Sequence, residues 1–583
     1  MNALQKKYII TTTWILLLTV FLALAAKTMF EGFYSMPAFV HLFVRYDLPA
    51  AILSTFILLA GILLALKTKA LRIDECLDWV GRKPIKIVFA VFIILSLGAY
   101  FVYQRYPLCM DEYMQYFQAR IFAEGRLWGQ YPPDLIPWLI IPDFFAIFSA
   151  ETGKVISNYW PGFSLLLTPF MKLRVPWLLN PVIGAGSLLL LFYYMRKILE
   201  DSRAASWGIL LTISSAVFMV NSISFYSMCA HLFFNLLFAF CLLKITPIRL
   251  FLAGLVGSYA LVLHNPIPHI AFALPWIIWI AVKEKRFRNI GILLLGYLPL
   301  SLIIGVGWYW IQLFVANAGE GAGASPLGVS ILAVQAEGSL QSPGDSNLFA
   351  FLFHKISGLL QGLFVFPDTD VLFLRLIGWL KTFAWAFPGL PVLAFLGIRY
   401  IRSCTHLRLW FWSALSTLFL FLFISFSQGH GWGFRYFYTA WFVLPLLGAA
   451  FITSKNLNRA ILWKRFVLIM FALSFILGTG LRYFQIHQFI DLQLSQLPTL
   501  EKGKQFICFL KTKNGYYLQD MLQNDPFLRE DVIKLWYIND KDDMEMMKNR
   551  FPNAVKLEDT SLYSVWEVKN KGGETGILNN LNN

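Results

Sequence analysis

Runs of about 18 or more mostly apolar residues recur along this chain as far as residue 481. Each is long enough to cross roughly 30 Å of hydrocarbon as a helix. Backbone inside lipid must satisfy its own hydrogen bonds, and unbroken apolar runs of this length do so as helices rather than as alternating barrel strands. The composition agrees: 58% of the 583 residues are hydrophobic and only 14% are charged, far from the balance of a soluble domain. The sequence therefore predicts an α-helical polytopic membrane protein. Only the last hundred or so residues lack the pattern and read as a small soluble α/β domain.

Basic residues fix the expected topology. The first apolar run, YIITTTWILLLTVFLALAA, follows Lys6 and Lys7 and has no clear cleavage pattern, so it reads as a retained anchor. A second run, about 48–66, leads into a loop carrying Lys67, Lys69, Arg72, Arg82, Lys83 and Lys86, which belongs in the cytoplasm by the positive-inside rule. Further spans are expected near 87–103, 177–195, 204–221, 228–244, 249–264, 268–283, 289–313, 378–398, 409–426, 437–453 and 465–481. That makes about thirteen helices. Basic loops at Arg196–Arg203, Lys244–Arg249, Lys283–Arg288, Arg399–Arg408 and Lys455–Arg465 each follow an even-numbered span. The odd count puts the C-terminal domain outside, and in a bacterium that means a multi-pass inner-membrane protein with a periplasmic tail.

The same distribution excludes a nucleic-acid partner as the reason for the formal net charge of +16, because the Lys and Arg residues lie in short loops beside anionic headgroups. The six cysteines show no CxxC pair and no metal-ligand spacing. Cys109 and Cys508 both fall in expected outer segments, where an oxidising compartment would permit a disulfide. Three regions follow: an N-terminal hairpin with its cytoplasmic loop (1–86), a transmembrane module with large outer loops at 104–176 and 314–377 (87–485), and the tail domain (486–583).

Unusual polar residues collect on the outer face. After the third span, PLCMDEYMQYFQAR places Asp111 and Glu112 side by side, and DEYMQYFQARIFAEGRLW reads as a helix starting at the acids and ending at Gly125. Met114, Phe117, Ile121 and Phe122 on that helix are candidates for lipid or core contact. The following DLIPWLIIPDFFAIFSA, broken by Pro137 and Pro142, reads as an interfacial or re-entrant helix. Three further polar segments map to the same face: Asn158-Tyr159-Trp160-Pro161-Gly162, His264 to His269, and Gly429-His430-Gly431-Trp432-Gly433-Phe434-Arg435-Tyr436.

Together these segments resemble the GT-C superfamily of polyprenyl-phosphate-dependent glycosyltransferases, in its bacterial branch similar to protein O-mannosyltransferases and lipid A aminoarabinose transferases. The resemblance rests on the Asp111-Glu112 pair in the first large outer loop, on NYWPGFSLLLTPF, and on GWGFRYFYTAWFVLPLL before a late span. It covers most of residues 87–481, and the order of the motifs is more specific than any one of them. The chain departs from the aminoarabinose transferases after the acids, where Tyr113, Met114 and Gln115 stand and no Arg comes before Arg120. It also lacks the large middle domain of eukaryotic O-mannosyltransferases.

The resemblance implies transfer of a sugar from a polyprenyl phosphate to a lipid, glycan or protein acceptor, with inversion at the anomeric carbon. Such a donor leaves as a stable phosphate anion, so one base suffices, unlike the two carboxylates of glycoside hydrolysis. Asp111 is the expected base, with Glu112 orienting it or the acceptor. Arg435, with Tyr436, His430 and Lys154, is expected at the donor phosphate, where a guanidinium offers paired donors and Gly431 and Gly433 allow close approach. Tyr116, Tyr159, His264 and His269 are expected along the substrate cleft. No residue set is assigned to a metal, since Asp368 and Asp370 in FPDTD lack a third ligand, and the need for a divalent ion stays open.

The segment from Ala316 to Leu376 opens Gly/Ser/Ala-rich, which suggests mobility, and carries His354 and Lys355 in an amphipathic or membrane-dipping stretch; the resemblance implies a loop here that closes over substrate. In the tail, KQFICFLKT, DVIKLWYIND, AVKLED and SLYSVWEVK read as strands, and YYLQDMLQND and KDDMEMMKNRF as helices. Two other functions fit a polytopic chain: an O-antigen polymerase or ligase working on pyrophosphate donors, and a transporter or flippase of lipid-linked sugars.

Overall fold

The computed structural model describes residues 3–29, 36–68, 72–141, 145–283, 287–316, 366–424, 427–454 and 461–568. It divides into two compact units. A helical unit draws on Met1–Tyr103, Trp177–Ser301 and Ser342–Gln485, and a mixed unit on Gln104–Pro176, Leu302–Gln341 and Ile486–Asn583.

Among the described residues, six helices are long and apolar enough to cross a membrane: Gln5–Met29, Ala38–Lys67, Pro84–Val102, Pro176–Leu199, Phe287–Ala316 and Ile461–Leu494. A seventh is Thr369–Trp385 with Leu390–Arg402, if this pair, bent by 100°, counts as one span. Shorter apolar helices, of 10–17 residues, occupy Met228–Cys241, Pro247–Leu261, Ile267–Val282 and Val443–Ile452, where four of the spans are expected.

Two expected spans are broken, each for a local reason. The run near 204–221 forms Ser202–Ile213 and Ala216–Asn221. At the break the Ser214 and Ser215 hydroxyls donate to the carbonyls of Leu210 and Leu211 at 2.8 and 2.7 Å, side-chain bonds that compete with the helix ladder. The run near 378–398 breaks over Ala386–Gly389, where Pro388 offers no N–H and Gly389 takes a positive φ of 79°. Its freed backbone groups are met by side chains: Ser215 Oγ accepts the Phe387 N–H, Arg482 donates to the Ala384 carbonyl, and the Tyr8 hydroxyl donates to the Pro388 carbonyl. This is the condition on which irregular backbone survives within a membrane bundle.

Three loops expected on one face meet in the helical unit. Arg203 grips Asp78 with two bonds, Nε to Oδ1 at 2.7 Å and Nη2 to Oδ2 at 2.8 Å. Lys464 reaches Asp74 at 2.8 Å, and Arg465 donates to the Thr68 carbonyl. The short helix Ile73–Arg82 supplies both acids.

The mixed unit holds two sheets. Strands β1 (Gly129–Gln130), β2 (Ala146–Phe148) and β3 (Lys154–Ser157) form an antiparallel sheet in the order β1-β3-β2. Strands β4 (Gln505–Leu510), β5 (Val532–Trp536), β6 (Ala554–Asp559) and β7 (Tyr563–Val568) form a second, ordered β5-β4-β7-β6, with β4 parallel to β5 and antiparallel to β7. All four tail strands fall where alternation predicts them, and so does the helix Asp540–Arg550, capped by Asn539. The segment YYLQDMLQND is different: only a 3-10 turn, Leu518–Met521, forms there.

One apolar core joins the first loop to the tail. Met110, Tyr113, Met114, Phe117 and Ile121 from helix Met110–Ala123 pack in a single cluster with Phe506, Cys508, Leu510, Leu518 and Leu535. Leu135, Ile136, Leu139 and Ile140 belong to it too. The expectation of a membrane-dipping helix at DLIPWLII is therefore corrected: a 3-10 turn and the one-turn helix Ile136–Leu139 feed this core, because the sheet and tail already offer an apolar surface. Cys109 and Cys508 are buried free thiols, so the possible disulfide between them is absent. Asp368 caps helix Thr369–Trp385 by accepting the Val371 N–H. The loop expected to close over substrate, with His354 and Lys355, lies largely outside the described residues.

Candidate functional site

The candidate residues fall into both units. Asp111, Glu112, Tyr116, Lys154 and Tyr159 belong to the mixed unit, and His264, His269, His430, Arg435 and Tyr436 to the helical unit.

Helix Met110–Ala123 starts from Cys109 in extended conformation, and Cys109 makes no side-chain cap. Carboxylates take over that task. Glu112 is fully buried, and its Oε2 accepts the Leu108 N–H at 2.6 Å. Asp520, from the tail turn Leu518–Met521, accepts the Met110 N–H at 3.0 Å. Free N–H groups and a favourable dipole make a helix start a natural seat for both.

Asp111 itself is half-buried, and its Oδ1 accepts a hydrogen bond from the Tyr159 hydroxyl. Two sequence motifs far apart in the chain thus meet through one bond. The meeting is over-determined by neighbouring contacts. Ser164 donates to Gln115 at 2.8 Å, and the Ser157 N–H donates to Gln118 at 3.0 Å, so buried glutamines one turn apart tie the acid helix to the NYWPG segment. The Tyr159 ring stacks on Phe145 with centroids 5.4 Å apart, and Trp308 and Gln312 donate to the carbonyls of Tyr159 and Asn158.

Tyr116 is half-buried, and burial pushes its phenol above the ordinary range. Lys154 opens β3 with its ammonium over the rings of Phe314 (4.4 Å) and Trp128 (5.2 Å). Among the described residues it makes no bond to Asp111 or Tyr159.

In the helical unit, the Gln428–Phe434 loop folds around Arg435. The Arg435 N–H donates to Gln428 Oε1 at 2.8 Å, and Gln428 Nε2 in turn donates to the Gly433 carbonyl. The guanidinium donates to the His430 carbonyl at 2.6 Å and lies 4.6 Å over the Tyr226 ring, whose hydroxyl meets His430 Nδ1 at 2.9 Å. Gly431 is required here: its φ is 146°, and a Cβ would come 2.3 Å from Arg435 Cδ. Tyr436 stacks on Phe421 at 4.5 Å with the Arg375 guanidinium 5.0 Å from its ring.

The two other candidate histidines have different partners. His269 is 1% exposed and bonded on both nitrogens, to Asn235 Oδ1 at 2.8 Å and to the Tyr297 hydroxyl at 2.7 Å, the arrangement of a core histidine. His264 pairs with Asn265 and faces the His231 ring edge-on at 6.3 Å.

Sequence reasoning missed Tyr226, His231, Asn235 and Asp520. The first three carried a signal, since polar side chains at the head and on successive turns of an otherwise apolar helix are rarely idle. Asp520 carried none, being one acid in a polar tail, 409 positions from Asp111 in the sequence (520 less 111).

No protein-family model matches the chain, and no curated protein matches it. Solved structures do match, among them the crystal structures of ArnT from Cupriavidus metallidurans bound to undecaprenyl phosphate and in the apo state. Each is 11% identical, with 83% of this chain and 98% of that chain covered and TM-scores of 0.48 and 0.44. At that identity and score the likeness carries no residue-level inference.

Proposed function

We propose that this protein is an integral membrane glycosyltransferase that moves a sugar from a polyprenyl phosphate to a cell-envelope acceptor on the periplasmic face. The observation that carries the reading is the hydrogen bond from Tyr159 to Asp111, which joins the two outer-loop motifs of the sequence resemblance. Asp111 is the base. It takes the proton of the acceptor hydroxyl while that oxygen bonds to the anomeric carbon from the side opposite the phosphate. The anomeric carbon–oxygen bond breaks, and its electron pair leaves with the polyprenyl phosphate. The configuration inverts, and no acid is needed at the leaving group, because a phosphate is stable as an anion.

Glu112 holds the helix start, and with it the neighbouring Asp111, through the Leu108 N–H. Arg435 and Lys154 are the cations assigned to the donor phosphate. Arg435 is prepositioned by His430, Gln428 and Tyr226, which lowers the ordering cost of phosphate binding.

The test is transfer from a defined polyprenyl-phosphate sugar by purified protein in lipid, comparing wild type with Asp111→Asn. Transfer falls at least about a hundredfold while expression and thermal unfolding stay unchanged. Near-normal turnover removes Asp111 from the mechanism, and turnover with pyrophosphate donors alone overturns the donor assignment. Mass spectrometry of envelope glycolipids and glycans with and without the gene product then names the sugar and acceptor.

A further inference from the structure

Two carboxylates from distant parts of the chain converge on one helix start. Asp520 Oδ1 accepts the N–H of Met110, the residue immediately before Asp111. Its turn is clamped in place: Gln523 donates to both the Asp520 carbonyl (2.9 Å) and the Pro107 carbonyl (2.8 Å), the Tyr106 hydroxyl meets Met521 Sδ at 3.2 Å, and the Asp520 N–H bonds the Tyr517 carbonyl. Pro107 and Tyr106 lead into the acid helix, so the tail turn is bonded to the segment that starts that helix. Nothing in the resemblance assigns a role to the tail here.

We propose that Asp520 is a positioning residue for Asp111: it fixes the start of the helix that carries the base and sets the strength of that base through its own charge. The inference rests on the reading of Asp111 as the base.

The electrostatics follow from proximity. Protein packed around Asp520 pushes its carboxyl up to about 7, the charge of Asp111 pushes the same way, and the Met110 N–H opposes both. Interaction between two carboxylates is reciprocal, so an ionised Asp520 makes Asp111 more basic in turn. Other ionisable groups stand at this junction. Glu112 is a third acid bonded to Leu108, Tyr159 donates a neutral hydroxyl to Asp111, the Tyr106 phenol is held up first by burial, and Cys109 is a buried thiol. Lys534 bonds the Gln523 carbonyl. Below about pH 7 Asp520 keeps its proton and the pair carries its single charge on Asp111; above it the second charge strengthens the base.

The experiment uses full-length protein in lipid. The wild-type kcat for sugar transfer steps up as pH rises through about 7. Asp520→Asn keeps an oxygen for the Met110 N–H but takes no charge, so it folds normally and loses the step, with acceptor KM unchanged. Asp520→Ala loses the bond as well and lowers kcat at every pH. If Asp520→Asn keeps the step, the proposal is overturned.

A second readout needs no substrate: infrared difference titration of the carboxyl band that Asp520→Asn removes. The band titrates near 7 in wild type and moves to lower pH in Asp111→Asn. A band that stays put overturns the proposal. A band that moves in a protein with no transferase activity supports the coupling and removes the glycosyl-transfer reading instead.

Discussion

Each unit holds a buried acid constellation, and the two are built oppositely. In the helical unit Asp47 is closed off: Lys381 reaches Oδ2 at 2.7 Å, Arg482 and Trp385 reach Oδ1 at 2.9 and 2.6 Å, and all three charged side chains are about 1% exposed. Arg482 also donates to the carbonyls of Tyr46 and Ala384, beside the broken helix, and stacks 3.8 Å over Trp385. In the mixed unit Asp111 has a neutral hydroxyl as its hydrogen-bond donor and a second carboxylate behind it. A buried carboxylate bonded by two cations and an indole N–H serves as a brace. Asp111 accepts from the Tyr159 hydroxyl beside another acid and keeps part of its exposure, which the proposed base needs.

The largest effect that tests this contrast is on stability. Asp47→Ala strands two buried cations, and the helical unit loses roughly 3–5 kcal/mol, read as a lower thermal midpoint in lipid or detergent. Asp111→Asn, its counterpart, leaves the midpoint where it is and removes activity. If both variants behave alike, the distinction between brace and base is wrong.

Next in size is Arg435→Ala. Losing a prepositioned charged donor costs about 1.5–3 kcal/mol, so the donor KM rises roughly ten- to a hundredfold while the acceptor KM barely moves. Equal effects on both substrates would count against phosphate binding by this residue. Smallest is Tyr159→Phe, which keeps the Phe145 stack and loses one hydrogen bond to Asp111. It lowers kcat by about tenfold or less, near 1 kcal/mol, with unfolding unchanged. A loss as large as that of Asp111→Asn would mean that Tyr159 takes part in the proton transfer itself.

Much of this molecule was legible beforehand because its signals are local. The first apolar helix, the helix that opens at the acids and the four tail strands follow from hydropathy, alternation and turn residues within a few positions. The failures share a cause. DLIPWLII is as apolar as an interfacial helix, and only the neighbouring sheet and tail make a protein core its better partner. Ser214, Ser215 and Pro388 were visible as residues, but whether a break survives depends on distant side chains such as Tyr8 and Arg482.

The sequence by itself determined that the chain is a membrane helix bundle with a mixed tail and that Asp111 opens a helix, since each depends on the order of residues along a short stretch. Which side chain holds Asp111, which carboxylate stands behind it, and that His269 is a satisfied core residue were decided only by tertiary structure. Hydrogen bonds and charge coupling act over a few ångströms in space, and the chain brings residues 159 and 520 that close to the start of one helix only by folding.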